Sequence, residues 1–295
     1  MTARCKVTAN YLDVAPELHR YFASVFLIEI DVPDGGMVED FMFPDWATMR
    51  FNAQGVVGGT TRSGEALPGS RFVVSGARSQ EAYVRTGSVR QWGVLIHPLG
   101  WALLVGKPAR DYANRLVDGM ADPAFERFRP LADTLSSGVP DARGELCRIT
   151  EFFMGLEPID DPAAGTIAAA YEAIRDPEVS SVEDLAGRAG VTRRTLERLC
   201  QRAFGFPPKL LLRRQRFLRS LAHFAADPSL KWIDALDPGY CDQAQFVRDF
   251  REFMGMTPSE YSHRSKPFVD AVLKERARYM VEEVGPRGGT RSLVA

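Results

Sequence analysis

The sequence predicts an α+β fold, in which a β-rich, barrel-like amino-terminal domain with some helices precedes an all-α carboxyl-terminal domain. Three observations lead to this prediction. Short runs of β-branched and aromatic residues alternate with glycine-rich turns over the first hundred residues, and apolar residues recur at helical spacing from residue 107 onward. A helical pattern near the end of the chain also occurs twice, fifty residues apart.

The strands of the amino-terminal half are predicted from their composition and from the turns between them. Closely spaced glycines separate the strands, as in a small antiparallel barrel or sandwich. The predicted strands are residues 25–32, 48–51, 71–75, 82–86 and 90–96. Helices are predicted at residues 109–116, 123–135 and 145–156.

Residues 157–165 predict a linker, because they combine two prolines, a glycine and three acidic residues. This linker separates a predicted effector or dimerisation domain at 1–156 from a helical domain at 166–265. A helix at 166–175 should stop at Asp176, since the residue before a proline disfavours helical geometry. In the tail, 266–295, we expect a helix at 268–283 and then a disordered Gly/Arg-rich segment at 285–291.

Composition argues against several classes of protein. No apolar run approaches the roughly 18 residues of a membrane span, and the first residues lack the pattern of a secretory signal. Four cysteines and four histidines are scattered, without the close spacing of metal sites or disulfide frameworks. We therefore expect a cytoplasmic protein with reduced thiols, no metal, no cofactor and no membrane partner.

Positive charge is concentrated late in the chain. Residues 1–180 hold 17 Lys/Arg and 24 Asp/Glu, whereas residues 181–265 hold 14 and 10 and residues 266–295 hold 6 and 4. Between Arg188 and Arg219 there are ten basic residues and a single acid, Glu197. Such an excess suits phosphate binding, although a solvated helix face is the alternative interpretation.

The first copy of the repeated pattern begins at a predicted capping box, residues 180–183, ahead of a short apolar stripe. Gly190 ends that helix, and Thr192 is the expected N-cap of a second helix at 195–202 that buries Leu196. Two short helices joined by a glycine-containing turn predict a helix-turn-helix unit.

The second copy has its first helix predicted at 232–236, its turn at 237–240 and its second helix at 242–253, capped by Asp242. From Leu196 onward the copies align without a gap, so that Leu196 matches Phe246 and Arg198 matches Arg248. A long helix at 209–226 would join the units. The carboxyl-terminal domain is thus predicted to be a double helix-turn-helix.

This arrangement resembles the DNA-binding domain of the AraC/XylS family of transcription regulators. The resemblance is carried by Gly-Phe-Pro-Pro208 and Gly-Met-Thr-Pro258 after the two second helices, and by the stretch 239–261. The β-rich half more loosely resembles the sensing domains of that family, mainly at residues 93–100. The resemblance implies a sequence-specific, DNA-binding transcription regulator, with RNA polymerase as a further partner.

In such a regulator the second helix of each unit is expected to enter the major groove, and the two units would reach successive grooves roughly 34 Å apart. Arginine can pair with guanine, and glutamine with adenine, through two hydrogen bonds. The predicted base-reading residues are Arg194, Arg198, Gln243, Gln245 and Arg248. The alternative for Arg198 and Arg248 is a surface ion pair with Glu197 or Asp249.

Other basic residues are expected to contact phosphates and set the register on the duplex. This predicted set comprises Arg193, Arg202, Lys209, Arg213, Arg214 and Arg251.

Residues 1–156 are expected to bind a small-molecule effector or to form a homodimer. Large apolar side chains that would line a ligand pocket are Phe41, Phe43, Trp46, Phe51 and Trp92, with simple core packing as the alternative. The rival class is an enzyme attached to a DNA-binding domain, either a β-barrel oxygenase or a DNA-repair protein that accepts alkyl groups on cysteine. A third hypothesis is that the chain is a protein-interaction module whose helix-turn-helix units have lost DNA binding.

Overall fold

The computed structural model describes residues 5–137, 139–226 and 232–283, and two antiparallel sheets organise the first half of the chain. The strands are β1 (Lys6–Leu12), β2 (Phe22–Asp31), β3 (Val38–Met42), β4 (Ala47–Gln54), β5 (Val57–Thr61), β6 (Ala66–Ser70), β7 (Phe72–Ser75), β8 (Ala82–Thr86), β9 (Val89–Ile96) and β10 (Leu116–Asp118). One sheet has the order β1-β2-β9-β4-β7-β10, and the other has the order β3-β8-β5-β6. The barrel-like expectation is therefore corrected to two open sheets.

Helices cover the rest of the described chain. They are α1 (Pro98–Gly100), α2 (Arg129–Leu135), α3 (Ala142–Met154), α4 (Ala164–Arg175), α5 (Val182–Arg188), α6 (Arg193–Leu199), α7 (Pro208–Ala226), α8 (Gln243–Met254), α9 (Pro258–His263) and α10 (Pro267–Glu283). A π-helical turn extends α1 over Trp101–Val105 and another extends α6 over Cys200–Phe204. Among the described residues, each helix is too short or too polar to cross a bilayer.

The central strands of the six-stranded sheet, β2, β9, β4 and β7, are buried on both faces, which explains why they lack a clean polar–apolar alternation. In β2, Val25 and Leu27 belong to one apolar core, whereas Phe26 and Ile28 belong to another. The first core lies between the sheet and α2 to α6, and the second contains the four-stranded sheet together with side chains of α7, α8 and α10. Every residue of β9 is buried as a result.

The predicted helix at 109–116 is wrong. Ala109–Asp111 forms a single 3-10 turn, and Leu116–Asp118 is a strand that pairs antiparallel with β7. Leu116 and Val117 face the two different cores, which is the alternation of a strand. The five predicted strands and the helices predicted at 123–135 and 145–156 are confirmed in place, with shifted ends.

The segment 157–165 is irregular until α4 begins, but it is packed against its neighbours. The amide of Ile159 donates to the carbonyl of Leu103 at 2.7 Å, and the Asp161 carboxylate accepts from the Arg202 guanidinium at 2.7 Å. Ile167 and Tyr171 of α4 lie in the same core as the six-stranded sheet. The β-rich half and the helical half therefore share a core across this segment.

The carboxyl-terminal helix α10 is held on the β-rich half by its own N-terminus. The buried carboxylate of Asp40, on β3, accepts from the amides of Phe268 at 2.8 Å and Val269 at 3.3 Å. A carboxylate at this position satisfies helix amides that have no partner within the helix. The expected helix of the tail is thus confirmed, while residues 285–291 lie outside the described residues.

A buried ion pair joins α3 to the six-stranded sheet. The Glu145 carboxylate accepts from the Arg90 guanidinium at 2.5 Å and from the Trp92 indole at 2.8 Å. The Glu145 side chain is 4% exposed, whereas Glu29, the other partner of Arg90, is 47% exposed. The Arg90 guanidinium is therefore bound by one buried carboxylate, that of Glu145, and by one exposed carboxylate, that of Glu29.

Replacing Glu145 by alanine (Glu145→Ala) should lower the free energy of unfolding by about 3–5 kcal/mol, because the buried Arg90 charge loses its buried partner. Urea denaturation followed by circular dichroism measures this loss. Glu29→Ala is the matched control, and an exposed partner should cost only about 0–1 kcal/mol. Equal losses for the two variants would contradict the assignment of Glu145 as the dominant partner.

Candidate nucleic-acid interface

The first helix-turn-helix unit consists of α5, a glycine turn and α6. The hydroxyl of Ser181, and not the predicted Ser180, caps α5 by accepting from the Asp184 amide at 3.0 Å. Gly190 takes a φ of +68°, a conformation that glycine adopts at no steric cost. Thr192 then caps α6 by accepting from the Thr195 amide at 3.3 Å, as expected from the sequence.

The second unit has the predicted second helix but lacks the predicted first helix within the described residues. Asp242 caps α8 by accepting from the Gln245 amide at 2.6 Å. Residues 232–235 form only a turn, closed by the Ala235 amide on the Trp232 carbonyl at 3.2 Å. Pro238 follows closely, and a proline disfavours helical geometry in the residue before it. The helix predicted at 232–236 is therefore wrong, and residues 227–231 lie outside the described residues.

Aromatic packing replaces the missing helix as the support of α8. The Trp232 ring stacks on Phe224 of α7, with centroids 3.6 Å apart, and makes an edge contact with Phe250 of α8 at 5.1 Å. Phe246 is buried beside Trp232 at 5.5 Å. The inner face of α8 is therefore fixed on the long connecting helix, and its outer face is left to solvent.

Three of the predicted base-reading side chains are exposed arginines that have no partner among the described residues. Arg194, Arg198 and Arg248 form no hydrogen bond or ion pair with any residue in the described ranges. Glu197 pairs instead with Arg193 at 3.2 Å. The alternative that Arg198 is held by Glu197 is thus contradicted.

The corresponding alternative for Arg248 is also contradicted. The Asp249 carboxylate is buried, accepts from Arg213 at 2.6 Å and accepts from the Tyr240 hydroxyl at 3.1 Å. Both oxygens of Asp249 are thus engaged on the inner side of α8, away from the exposed Arg248. Arg198 and Arg248 occupy matching positions of the two units, and neither is bound by the acidic residue next to it in sequence.

The two predicted glutamines differ from each other. Gln243 is exposed at the first turn of α8. Gln245 is half-buried, and its side-chain oxygen accepts from the Cys241 amide at 3.2 Å. Gln245 therefore helps to shape the turn before α8, while its amide nitrogen has no hydrogen bond to a described residue.

The predicted phosphate-contacting residues fall into three groups. Lys209 and Arg251 are exposed and form no ion pair within the described chain. Three arginines already bind carboxylates. These pairs are Arg193 with Glu183 at 2.6 Å, Arg202 with Asp161 at 2.7 Å, and Arg213 with Asp249 at 2.6 Å and Glu252 at 2.5 Å.

Arg214 belongs to the third group, and its assignment as a phosphate contact is wrong. Its side chain is fully buried, and its guanidinium lies 3.9 Å from the centre of the ring of Trp46, the residue before β4. It donates to the carbonyls of Arg78 at 2.9 Å and Asp45 at 3.3 Å. Arg214 faces the β-rich half because it occupies the buried stripe of α7 between Leu211 and Leu218.

A cleft of about 560 Å³ separates the two units, and its basic lining includes two residues that the sequence analysis did not assign. Arg216 donates to the Gly239 carbonyl at 2.8 Å, and Arg219 donates to the Asp237 carboxylate at 2.5 Å. Together with Lys209 and Arg213, they recur every three or four residues along α7. That spacing could have identified a single cationic face of the helix.

The predicted pocket residues do not meet in one pocket, which corrects that expectation. Phe51 and Trp92 pair across β4 and β9 within the first core, and Trp46 is covered by Arg214. Phe41 packs against Tyr261 of α9 at 6.0 Å in the second core. Phe43 borders two cavities of the described chain.

Two observations on the described residues bear on the enzyme alternatives. No group of three or more histidine, cysteine or acidic side chains is placed there to hold a metal ion. Burial raises the pKa of the Cys200 thiol to about 12 and also raises the pKa of Cys5. These shifts oppose the thiolate form that an alkyl-accepting cysteine needs.

One complete helix-turn-helix unit, followed by a second capped helix, α8, that also has a cationic outer face, defines a DNA-binding protein. Residues 185–264 match a family model described as a helix-turn-helix domain. The carboxyl-terminal region is an AraC-type helix-turn-helix domain, which confirms the resemblance drawn from the motif residues. No curated protein matches the chain.

Solved structures of regulators are similar to the chain only at a low level. ToxT from Vibrio cholerae bound to an unsaturated fatty acid has 13% identity and a TM-score of 0.42, over 88% of this chain and 94% of that chain. Apo ToxT gives 13% and 0.40, over 88% and 96%. The AraC-like transcriptional activator CuxR gives 13% and 0.24, over 82% and 91%. At these TM-scores no ligand or residue role is transferred.

The contrast between Lys209 and Arg214, which lie on the same helix, gives a test of the phosphate assignments. Lys209→Ala should reduce the slope of log binding constant against log salt concentration by about 1, since one phosphate contact is lost. Arg214→Met should leave the slope unchanged. Fluorescence anisotropy on a random duplex at several salt concentrations measures both slopes. A reduced slope for Arg214→Met would show that Arg214 contacts a phosphate after all.

Proposed function

We propose that the chain regulates transcription by binding specific duplex sequences, with one helix-turn-helix unit in each of two successive major grooves. The base-reading residues in this proposal are Arg194, Arg198 and Gln243, with Arg248 and the side-chain amide nitrogen of Gln245. The α6 and α8 helices present these groups, while the inner faces of both helices are held in apolar cores.

The observation that carries the proposal is that Arg198 and Arg248 have no ion-pair partner among the described residues. Each arginine stands next to an acidic residue in sequence, and in each case that acid is bound by another arginine. A guanidinium without a partner can donate two parallel hydrogen bonds to the O6 and N7 atoms of guanine. Matching positions in both units thus retain the donors that direct readout requires.

Phosphate binding completes the proposed interface. Lys209 and Arg251 are available without rearrangement. Arg193, Arg202 and Arg213 would exchange a carboxylate for a phosphate, and the exposed pairs cost little to open because surface ion pairs contribute only about 0–1 kcal/mol. The exceptions are the Arg202 contact with Asp161 and the Arg213 contact with Asp249, since these carboxylate side chains are 8% and 3% exposed. Arg213 should therefore contribute less to the salt dependence than Lys209.

The β-rich half is proposed to control this DNA binding, through a small-molecule effector or through homodimerisation. The shared core between the halves supports the proposal, because a change in one half alters packing in the other. We further propose that the chain is not an enzyme, that RNA polymerase is a partner at the promoter, and that the chain acts in the compartment that holds the DNA.

Arg198→Ala and Arg248→Ala should each weaken binding to a duplex selected from a random pool by about 1–3 kcal/mol, since each variant loses one base contact. Affinity for a random duplex should change much less, because phosphate contacts remain. Fluorescence anisotropy at a fixed salt concentration measures both affinities, and circular dichroism checks that the fold is retained.

Arg188→Ala is the control for this experiment. Arg188 is exposed on α5 and pairs with Asp176 at 2.6 Å, so its loss should leave the ratio of specific to random binding unchanged. An equal loss on both duplexes for Arg198→Ala would reassign that arginine to the phosphate backbone. If the wild-type chain enriched no sequence from the pool, the proposed function itself would be wrong.

A further inference from the structure

A second candidate site lies where α10 meets the β-rich half. The cavity there is enclosed by the six-stranded sheet, by the segment that joins β3 to β4, and by α10. Phe26, Ile28, Leu95 and Val272 are among the residues that give it an apolar side. The opposite side is polar, and its charged residues are Asp45, Arg50, Arg78 and Arg276.

The charges around this cavity do not balance. Arg50, Arg78 and Arg276 line it, and the buried Arg214 lies behind them, hydrogen-bonded to the Arg78 carbonyl. Asp45 is the one acidic residue among the described residues that line the cavity. Buried cations are ordinarily paired, because removing a charge from water without compensation is costly.

The single carboxylate is already engaged. One oxygen of Asp45 accepts from the Arg276 guanidinium at 2.8 Å, and the other accepts from the Trp46 amide at 2.8 Å. Arg78 donates to the Phe43 carbonyl at 2.9 Å and to the Ser75 hydroxyl, which are neutral acceptors. Neither Arg50 nor Arg78 is hydrogen-bonded to a carboxylate within the described chain.

Two donors of these arginines have no acceptor among the described residues. They are the buried Nη1 of Arg50, whose side chain is 9% exposed, and the buried Nε of Arg78, whose side chain is 3% exposed. Unpaired buried donors are rare in native proteins, so each calls for an acceptor. Desolvation by burial lowers the pKa of Arg50 to about 10 and that of Arg78 to about 9, which shows that protein groups compensate these charges incompletely.

We propose that this cavity binds a small organic carboxylate, with the carboxylate on Arg50 and Arg78 and a short apolar body against Phe26, Ile28 and Val272. A guanidinium presents donors in a planar fork that matches a carboxylate, and the apolar side of the cavity disfavours a fully hydrated inorganic anion. The proposal rests on the small-molecule control proposed above and names the chemical class of the effector.

The cavity limits the size of this ligand. Only about 30 Å³ of its interior admits the centre of a water molecule. A short-chain acid fits such a cavity better than a long-chain one. Because α10 supplies Phe268, Val272 and Arg276 to the wall, the ligand would bind only while α10 is docked on the sheets, and so would stabilise the docked state.

Thermal unfolding of the full chain without DNA tests the proposal, with sodium hexanoate, hexanamide and sodium phosphate compared at equal ionic strength. Hexanoate should raise Tm by about 2–4 °C at roughly ten times its Kd, whereas the uncharged amide and the phosphate should not. A rise with hexanamide or phosphate as large as that with hexanoate, or no rise with hexanoate up to saturating concentrations, would overturn the proposal.

Arg50→Met and Arg85→Met give the matched pair of variants. Arg50→Met should abolish the hexanoate effect without lowering the Tm of the ligand-free chain, because it removes an uncompensated buried charge. Arg85 is exposed on β8 and pairs with Glu39 at 3.3 Å, so Arg85→Met should keep the hexanoate effect. A hexanoate effect that survives Arg50→Met would place the ligand elsewhere and overturn the assignment.

The wild-type comparison of hexanoate, hexanamide and phosphate remains decisive even if Arg50→Met does not fold. These measurements contain no DNA, so a failure here leaves the selection of duplex sequences unaffected. Conversely, if the chain selects no duplex but binds hexanoate through Arg50, the proposed function is wrong and the carboxylate site still stands.

Discussion

Burial of the central strands of the six-stranded sheet on both faces is the constraint that positions both helix-turn-helix units. On one face, Phe51 and Trp92 belong to a core that continues through α4 to Leu196 of α6. On the other face, Ile28 belongs to a core that includes Phe250 of α8. Because each square ångström of apolar surface that returns to water costs about 25 cal/mol, neither unit can leave the sheet without a substantial loss of stability. The two reading helices are thereby tied to the same sheet from opposite sides.

Docking on the sheet also determines which side chains are left for DNA. The carboxyl end of α8 is held by Arg62 of the β-rich half, which donates to the Glu252 carbonyl at 2.6 Å. The acids nearest in sequence to Arg198 and Arg248 are used in pairs with other arginines. The inner faces of α6 and α8 form apolar contacts and internal ion pairs. The exposed arginines on the outer faces are therefore the groups that can replace hydrogen bonds to water by hydrogen bonds to base edges. Fold stability and DNA recognition thus depend on opposite faces of the same helices.

The sequence predicted local structure well where the pattern depends on neighbours along the chain, as at β8 or at the Thr192 and Asp242 caps. It failed where distant residues decide the outcome. Residues 109–116 carry apolar spacing typical of a helix, but Leu116 pairs with β7, a partner forty residues away. Arg214 was assigned to phosphate because its neighbours are basic, although its position between Leu211 and Leu218 already indicated the buried stripe. The cavity arginines were not found at all, since nothing local brings Arg50 near Arg276.

The buried arginine group couples the two halves electrostatically. Arg214 and Arg276 come from α7 and α10, whereas Asp45, Arg50 and Arg78 come from the β-rich half, so the group exists only when the halves are docked. Any change in its charge alters the free energy of docking, because the repulsion among the guanidiniums disappears when the halves separate. Lys209 lies on α7 with Arg214, and α7 connects the two reading units. If the docked and separated states bind DNA with different affinities, a ligand that stabilises the docked state must change the affinity of the chain for DNA. By the same linkage, DNA must change the affinity of the chain for that ligand by the same factor.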